Sequence, residues 1–163
     1  SALYSLKDNS LFYNSDLSIG VAFNPFLPEF MFDEEIKRLE EKLKLGIVNS
    51  IWIQFGTDIE LLENRLNIIK SLILSSLKLN SNILDINLFG SILIPSKQFL
   101  ARFKYRPWKG VYCSREFLES VDLANDLVIK LLETYMNMNI QPIIETNTST
   151  KDQLTSLHML LKS

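Results

Sequence analysis

Four short runs rich in β-branched and aromatic residues alternate along this chain with longer segments of helical period. Strands that alternate with helices are satisfied by parallel strands joined through right-handed crossovers. The first run, Ser18 to Phe23, ends at Asn24-Pro25, and Pro25 and Pro28 delay any helix. From Asp33 the period becomes helical, with Ile36, Leu39 and Leu43 on one face and Gly46 as a stop. Glu34 with Arg38, and Glu40 with Lys44, stand in the favourable i,i+4 order. The second strand is Ser50 to Phe55, closed by Gly56. Thr57 and Glu60 form a capping box before a helix striped by Leu62, Leu66, Ile69 and Ile73, which fades near Asn80 to Asn82.

The third strand is expected from Ile83 to Phe89, with Gly90-Ser91 as its punctuation. Ser96 caps a short helix through Lys104, and Pro107 ends that segment. Ser114 caps one long helix whose apolar face is Phe117, Val121, Ala124, Val128, Leu131 and Tyr135. The fourth strand, Ile140 to Glu145, contains Pro142, which marks an edge position. Thr150 and Gln153 form a second capping box, opening a final helix with Leu154, Leu157 and Leu161. The order is βαβαβ(α)αβα. The fold class is α/β, with about four β/α units of a TIM-barrel type. The 163 residues read as one domain, too short for a complete (β/α)₈ barrel, which takes about 250.

Charge narrows the partners. Seventeen Lys and Arg against nineteen Asp and Glu leave −2, too little positive field for general nucleic-acid or membrane binding. No apolar run reaches the length of a membrane span. The residues after Ser1 lack a basic stretch followed by an apolar core, so no secretory signal is expected and the reducing cytoplasm is the expected compartment. One cysteine, Cys113, and one histidine, His158, leave no basis for a disulfide or a Cys-based zinc site, and no metal is expected.

Polar residues break the strands in a pattern. Ser50, Trp52 and Gln54 alternate with Ile51, Ile53 and Phe55; Asp85 and Asn87 alternate with Leu84, Ile86 and Leu88. One face meets helices, and the other has the character of a barrel lumen or a ligand cleft. Asn24, Gln54, Asn87 and Glu145 fall late in their strands, where α/β folds place their sites. Each of the four also has a plain reading as a loop or helix cap.

These residues resemble a known family. Ile19 to Glu29 is similar to the G-V-A-x-Y-P-E-x-H-P-E stretch of methylenetetrahydrofolate reductases. Leu39 to Gly46 resembles their L-x-x-K-x-x-A-G helix end, Ile53 to Asp58 their T-Q-x-F-F-D strand end, and Gly90 to Ser96 their P-G-I-M-P-x-S stretch. The matches keep the family's order and cover residues 18 to about 145. The resemblance implies the C-terminal half of a TIM barrel. It implies FAD as cofactor, NAD(P)H as electron donor and a folate-type substrate, methylenetetrahydrofolate, reduced to methyltetrahydrofolate in one-carbon metabolism. By matching position it implies Lys42 near the flavin phosphates, Glu29 and Glu35 around the adenosine side, Asn24 where the family has Tyr, and Gln54 on the substrate. The family's acidic catalytic residue lies on a strand outside these matches, so no catalytic residue is assigned. A non-catalytic interaction or scaffold domain that kept the fold and lost the flavin is the alternative. A half barrel implies a homo-oligomer or a separate N-terminal half as partner.

Lys97 to Arg115 holds six basic residues and no acidic one, interleaved with Phe99, Phe103, Tyr105, Trp108 and Tyr112. The readings open for it are a solvated basic face, contact with a cofactor phosphate or pterin tail, and stacking on single-stranded nucleic acid. His158 reads as structural. Cys113, before a helix N-terminus, has the option of a lowered pKa. The acidic run at Glu29 and Asp33 to Glu35 reads as a solvated helix start.

Overall fold

The computed structural model of the chain describes residues 2–7, 9, 17–79, 85–146 and 150–160. Its elements run α1 (Ala2–Lys7), β1 (Ile19–Phe23), α2 (Glu29–Leu43), β2 (Val48–Ile53), α3 (Ile59–Leu79), β3 (Asn87–Leu93), α4 (Lys97–Tyr105), α5 (Arg115–Glu119), α6 (Val121–Asn137), β4 (Gln141–Glu145) and α7 (Lys151–Leu160). The four strands form one parallel sheet in the order β1-β2-β3-β4. The expected α/β class and all four parallel strands are present.

Consecutive strand order has a consequence. When each right-handed crossover moves one strand in the same direction, every helix lands on the same side of the sheet. Burial agrees. Val21, Phe23, Ile51, Ile53, Leu88 and Ile92 are buried with the helix residues Phe32, Leu39, Leu62, Leu66, Ile69, Phe117, Val128 and Tyr135. The register puts Ala22, Trp52, Phe89 and Gln141 side by side, and likewise Gly20, Ser50 and Asn87. On that side Gly20, Ala22, Trp52, Asn87 and Gln141 are exposed, and Ser50 and Phe89 are half-buried. No described helix covers it.

Several boundaries depart from the sequence reading. Strand β3 lies four residues later at its start, and residues 83 and 84 lie outside the described residues. Gly90 is the middle of β3, not its end. A Cβ there would stand 2.4 Å from the Tyr135 ring, so the glycine is a packing solution within the strand. Asp85 therefore precedes β3 and Asn87 opens it, so Asn87 is not at a strand's C-terminal end. Helix α2 starts directly after Pro28, whose carbonyl accepts from Met31 and Phe32, rather than at Asp33. Thr57 does not cap α3. Asp58 does, its Oδ1 accepting from the Leu61 amide at 3.0 Å. The long helix expected after Ser114 is two helices. Ser120 is extended and caps α6 by accepting from Leu123, which breaks the chain between α5 and α6.

Other local readings hold. Ser96 and Ser114 cap α4 and α5. Gly46 sits at φ 71° after α2, where a side chain would be strained. Thr150 and Gln153 exchange both bonds of a capping box. Pro142 is accommodated because β4 is an edge strand. Leu161 and the 80–82 segment lie outside the described residues, and so do residues 1, 8 and 10–12 of the span from Ser1 to Phe12. No helix among the described residues is long and apolar enough to cross a membrane.

Candidate functional site

The C-terminal ends of β1 and β2 are joined by the Gln54 amide, which donates to the Phe23 carbonyl at 2.8 Å. Just below that point lies Trp52, the more exposed of the two aromatics, Trp52 and Phe89, on the uncovered face. The Trp52 indole donates from Nε1 to Ser50 Oγ at 3.1 Å and packs against Phe89, with ring centroids 5.1 Å apart and planes 32° from parallel. It lies over Gly20, where a Cβ would come within 2.5 Å of Nε1. Trp52 nevertheless remains 48% exposed. A tryptophan buried on one side and bare on the other offers a flat apolar surface for a second ring. Gln54, two residues further along β2's path, is exposed, and its Oε1 accepts from the Phe55 amide at 3.2 Å. Its NH₂ group remains a donor beside the plate. Ser91 and Glu145, hydrogen-bonded to each other, border the same end of the sheet on β3 and β4.

The β1–α2 loop is fixed by its own polar residues. Asn24 accepts from the Phe26 amide at 3.0 Å and donates from Nδ2 to the Gly110 carbonyl at 2.8 Å. Glu35 Oε1 accepts from the Asn24 amide at 3.1 Å. Arg65, on α3, donates to the carbonyls of Pro25 and Leu27 at 2.5 and 2.6 Å and to Glu29 at 2.6 Å. The segment after α4 is tied to the same end of the sheet. Tyr112 bridges Gly56, its carbonyl accepts from the Thr57 amide at 3.1 Å, and the Ser114 amide donates to Thr57 Oγ1 at 2.7 Å.

Of the residues expected in a site, Asn24, Glu29, Glu35 and Gln54 gather at the C-terminal end of the sheet. Lys42 does not. It stands in the last turn of α2, and at 1.5 Å per residue it is about 20 Å along the axis from Glu29. Asn24, Glu29 and Glu35 hold chain partners with their polar groups. The five positions together do not build one cradle for flavin adenine dinucleotide, so no redox step is derived from them. Among the described residues no group of three or more His, Cys, Asp and Glu side chains is placed to hold a metal ion. Burial pushes the Cys113 thiol up to about 12, the opposite of an activated nucleophile. His158 is exposed on α7.

Arg65, Gly20 and Phe89 escaped the sequence reading as site elements, whereas Trp52 stood on the face expected to line a lumen or cleft. A lone arginine within an apolar helical stripe was the available signal for Arg65. A cleft of about 580 Å³ in the helical layer, lined by Asp58, Glu63, Glu116 and Glu133, lies away from Trp52, as does one of about 710 Å³ at the opposite end of β3 and β4. Both are open, and neither gathers the aromatic plate, which is a surface rather than a hollow.

No protein-family model matches the chain, and no curated protein matches it. Among solved structures it is similar to an uncharacterised protein from Clostridium thermocellum that binds two copies of 5-methyl-5,6,7,8-tetrahydrofolic acid. The identity is 16% and the TM-score 0.56, over 90% of this chain and 53% of that one. At that identity the likeness shows the fold, and the chain spans about half the length of the protein it matches.

Proposed function

We propose that this chain is a binding module for a flat heteroaromatic ligand of the folate type, seated on the Trp52 indole with Gln54 as its polar partner. The observation that carries the reading is Trp52 itself. Its ring is held by Ser50, Phe89 and the absence of a side chain at Gly20, yet almost half of it faces outward. A protein rarely fixes a bare tryptophan on an uncovered sheet face, since burying such a ring removes a large apolar area from water. The resemblance to methylenetetrahydrofolate reductases and the likeness to a fold that holds 5-methyltetrahydrofolate in another protein support the same ligand class.

On this reading the four strands are half of a barrel-type sheet. The uncovered face is its interior, and a second half, from another copy or another segment, completes the site. The reductase chemistry implied by the resemblance is the work of a flavin. The chain's own residues here bind and orient, and the reading stops at binding. The competing reading is an interaction domain that has lost its ligand. The commitment of Asn24, Glu29 and Glu35 to loop contacts favours it.

Calorimetric titration of the full chain with 5-methyltetrahydrofolate separates the two. Saturable binding is expected, weakened by roughly 1–3 kcal/mol in Trp52→Ala, the worth of stacking a planar ring on an aromatic side chain. Gln54→Ala is expected to weaken binding with little change in melting temperature, because the side chain is exposed. No binding by the native chain, or equal binding by Trp52→Ala, rejects the proposal.

A further inference from the structure

The segment from Lys97 to Arg115 contributes neither Trp52 nor Gln54 and has a charge of its own. Six of the chain's seventeen basic residues and none of its nineteen acidic ones fall in it, so it carries +6 while the rest of the chain carries −8. Lys97, Arg102, Lys104, Arg106, Lys109 and Arg115 are all exposed, and among the described residues none of them makes an ion pair. The C-terminal dipole of α4 accounts for cations at Arg102 and Lys104, which stand in its last turn. It does not account for Arg106 and Lys109, which lie beyond the helix.

The backbone under these charges is fixed. Trp108 packs edge-on against Phe99 and Phe103, with centroids 5.5 and 6.2 Å away. Gly110 turns the chain at φ 83°, and its carbonyl is held by Asn24 at the end of β1. Tyr112 is bridged to Gly56 beyond the end of β2. Tyr105, 93% exposed, and Trp108, half exposed, sit among the cations. The result is an unneutralised basic strap anchored at the end of the sheet that carries Trp52 and Gln54.

We infer that this strap is a binding site for a short multivalent anion of carboxylate or phosphate chemistry. Length is set by the charge distribution. The Debye length in physiological salt is about 8 Å. A short anion lying on the strap feels the strap cations nearest to it, whereas a long polyanion must also pass the −8 of the surrounding chain. That favours a compact charged group over a nucleic-acid strand. That the anion is the charged end of a ligand whose ring sits on Trp52 rests on the folate-type reading. That the strap takes short anions does not.

The chain's two tryptophans report the two places separately. In Trp52→Phe the remaining indole is Trp108, on the strap; in Trp108→Phe it is Trp52, on the sheet. Titrating Trp52→Phe with inorganic tripolyphosphate and, in parallel, with a tri-γ-glutamate peptide should give a saturable change in Trp108 emission. Affinity should fall about tenfold or more between roughly 0.05 and 0.3 M salt. The stronger of the two probes identifies phosphate or carboxylate as the source. Adding Arg102→Gln with Arg106→Gln should weaken binding about tenfold. Lys104→Gln with Lys109→Gln is a second exposed pair expected to act in the same direction. No response of Trp108 to either anion, or an affinity in both charge-reduced variants unchanged from that of Trp52→Phe alone, overturns the inference. Tighter binding of a short single-stranded oligothymidylate than of either anion also overturns it, in favour of nucleic acid. If the anions bind while 5-methyltetrahydrofolate leaves Trp52 emission in Trp108→Phe unchanged, the anion site stands and the folate-type reading alone falls.

Discussion

Replacing Arg65 with alanine should cost this fold more than any other single surface-to-core polar change, because one buried side chain holds a whole loop. The Arg65 side chain is 5% exposed. Its guanidinium donates to the carbonyls of Pro25 and Leu27 and lies 3.8 Å from the Phe32 ring centroid. Neither Pro25 nor Pro28 can donate a backbone bond, so beyond the Asn24 and Glu35 contacts at its start the loop between β1 and α2 is held by Arg65. Arg65→Ala removes the donors and leaves the carbonyls facing a gap. Two hydrogen bonds from a charged donor to the Pro25 and Leu27 carbonyls, each worth about 1.5–3 kcal/mol, put the loss at about 3–5 kcal/mol once the gap partly relaxes. The Glu29 carboxylate is 82% exposed and returns to water, so it adds little to that figure.

For a domain of this size each kcal/mol shifts the melting temperature by about 2–4 °C, so a fall of roughly 6–20 °C is expected. Urea unfolding and thermal scans of the same samples measure it. Arg65→Lys should recover less than half the loss, since one ammonium cannot span two carbonyls and a ring as a planar fork does. Arg65→Met restores the stem's packing without the donors and should stay closer to alanine than to the native chain. A loss below about 1 kcal/mol for Arg65→Ala, the worth of a single ordinary hydrogen bond, would refute the idea that the loop hangs on this side chain.

Gly20→Ala should displace the Trp52 indole, since the new Cβ meets Nε1 at 2.5 Å. A changed Trp52 emission in the Trp108→Phe background, with less than about 1 kcal/mol of destabilisation on a face with room to give, checks it. The thiol of Cys113, raised by burial from 9.0 to about 12, and the Tyr135 phenol, also raised by burial, stay protonated in the fold while their unfolded counterparts ionise. The unfolded chain then binds fewer protons, so stability is full below about pH 9 and declines above it. A urea midpoint that holds level from pH 7 to above pH 10 would contradict this. Among the described residues β1 and β4 are the edges of the sheet with no further strand beside them, and these edges and the uncovered face of Trp52 predict self-association. Light scattering at tens of micromolar should report more than 18.8 kDa, and a monodisperse species at that mass argues for a covered face instead.

The parts of the fold that were legible in the sequence are those decided within a few residues. Ser96 and Ser114 cap their helices through an oxygen reaching three residues ahead, and Thr150 and Gln153 close a box of the same size. The strand and helix periods are equally local. Errors came where a distant partner outbid the local signal. Thr57 carries the sequence signature of a cap, but its hydroxyl accepts from the Ser114 amide, fifty-seven positions away, and Asp58 caps the helix in its place. Gly90 reads as a strand breaker, but Tyr135 needs the space above it. Ser120 breaks a helix whose apolar stripe runs unbroken through it, because the stripe shows only that both halves pack, not that they are collinear.

The site follows the same division. Gln54 and the exposed side of the sheet were readable, since alternation along one strand assigns faces without reference to anything else. The use made of Asn24, Glu29 and Glu35 was not, because each is spent on a partner that only the folded loop supplies. Motif matching assigns such residues to a ligand because a ligand and a backbone carbonyl ask for the same chemistry. Lys42 shows the limit most directly. Its motif places it a few positions from Gly46, yet α2 carries it to the end of the layer opposite Gln54. Sequence proximity to a strand says which element a residue belongs to. The direction in which that element runs decides whether the residue reaches the mouth of the sheet, and in α2 its first two turns, from Glu29 to Glu35, do.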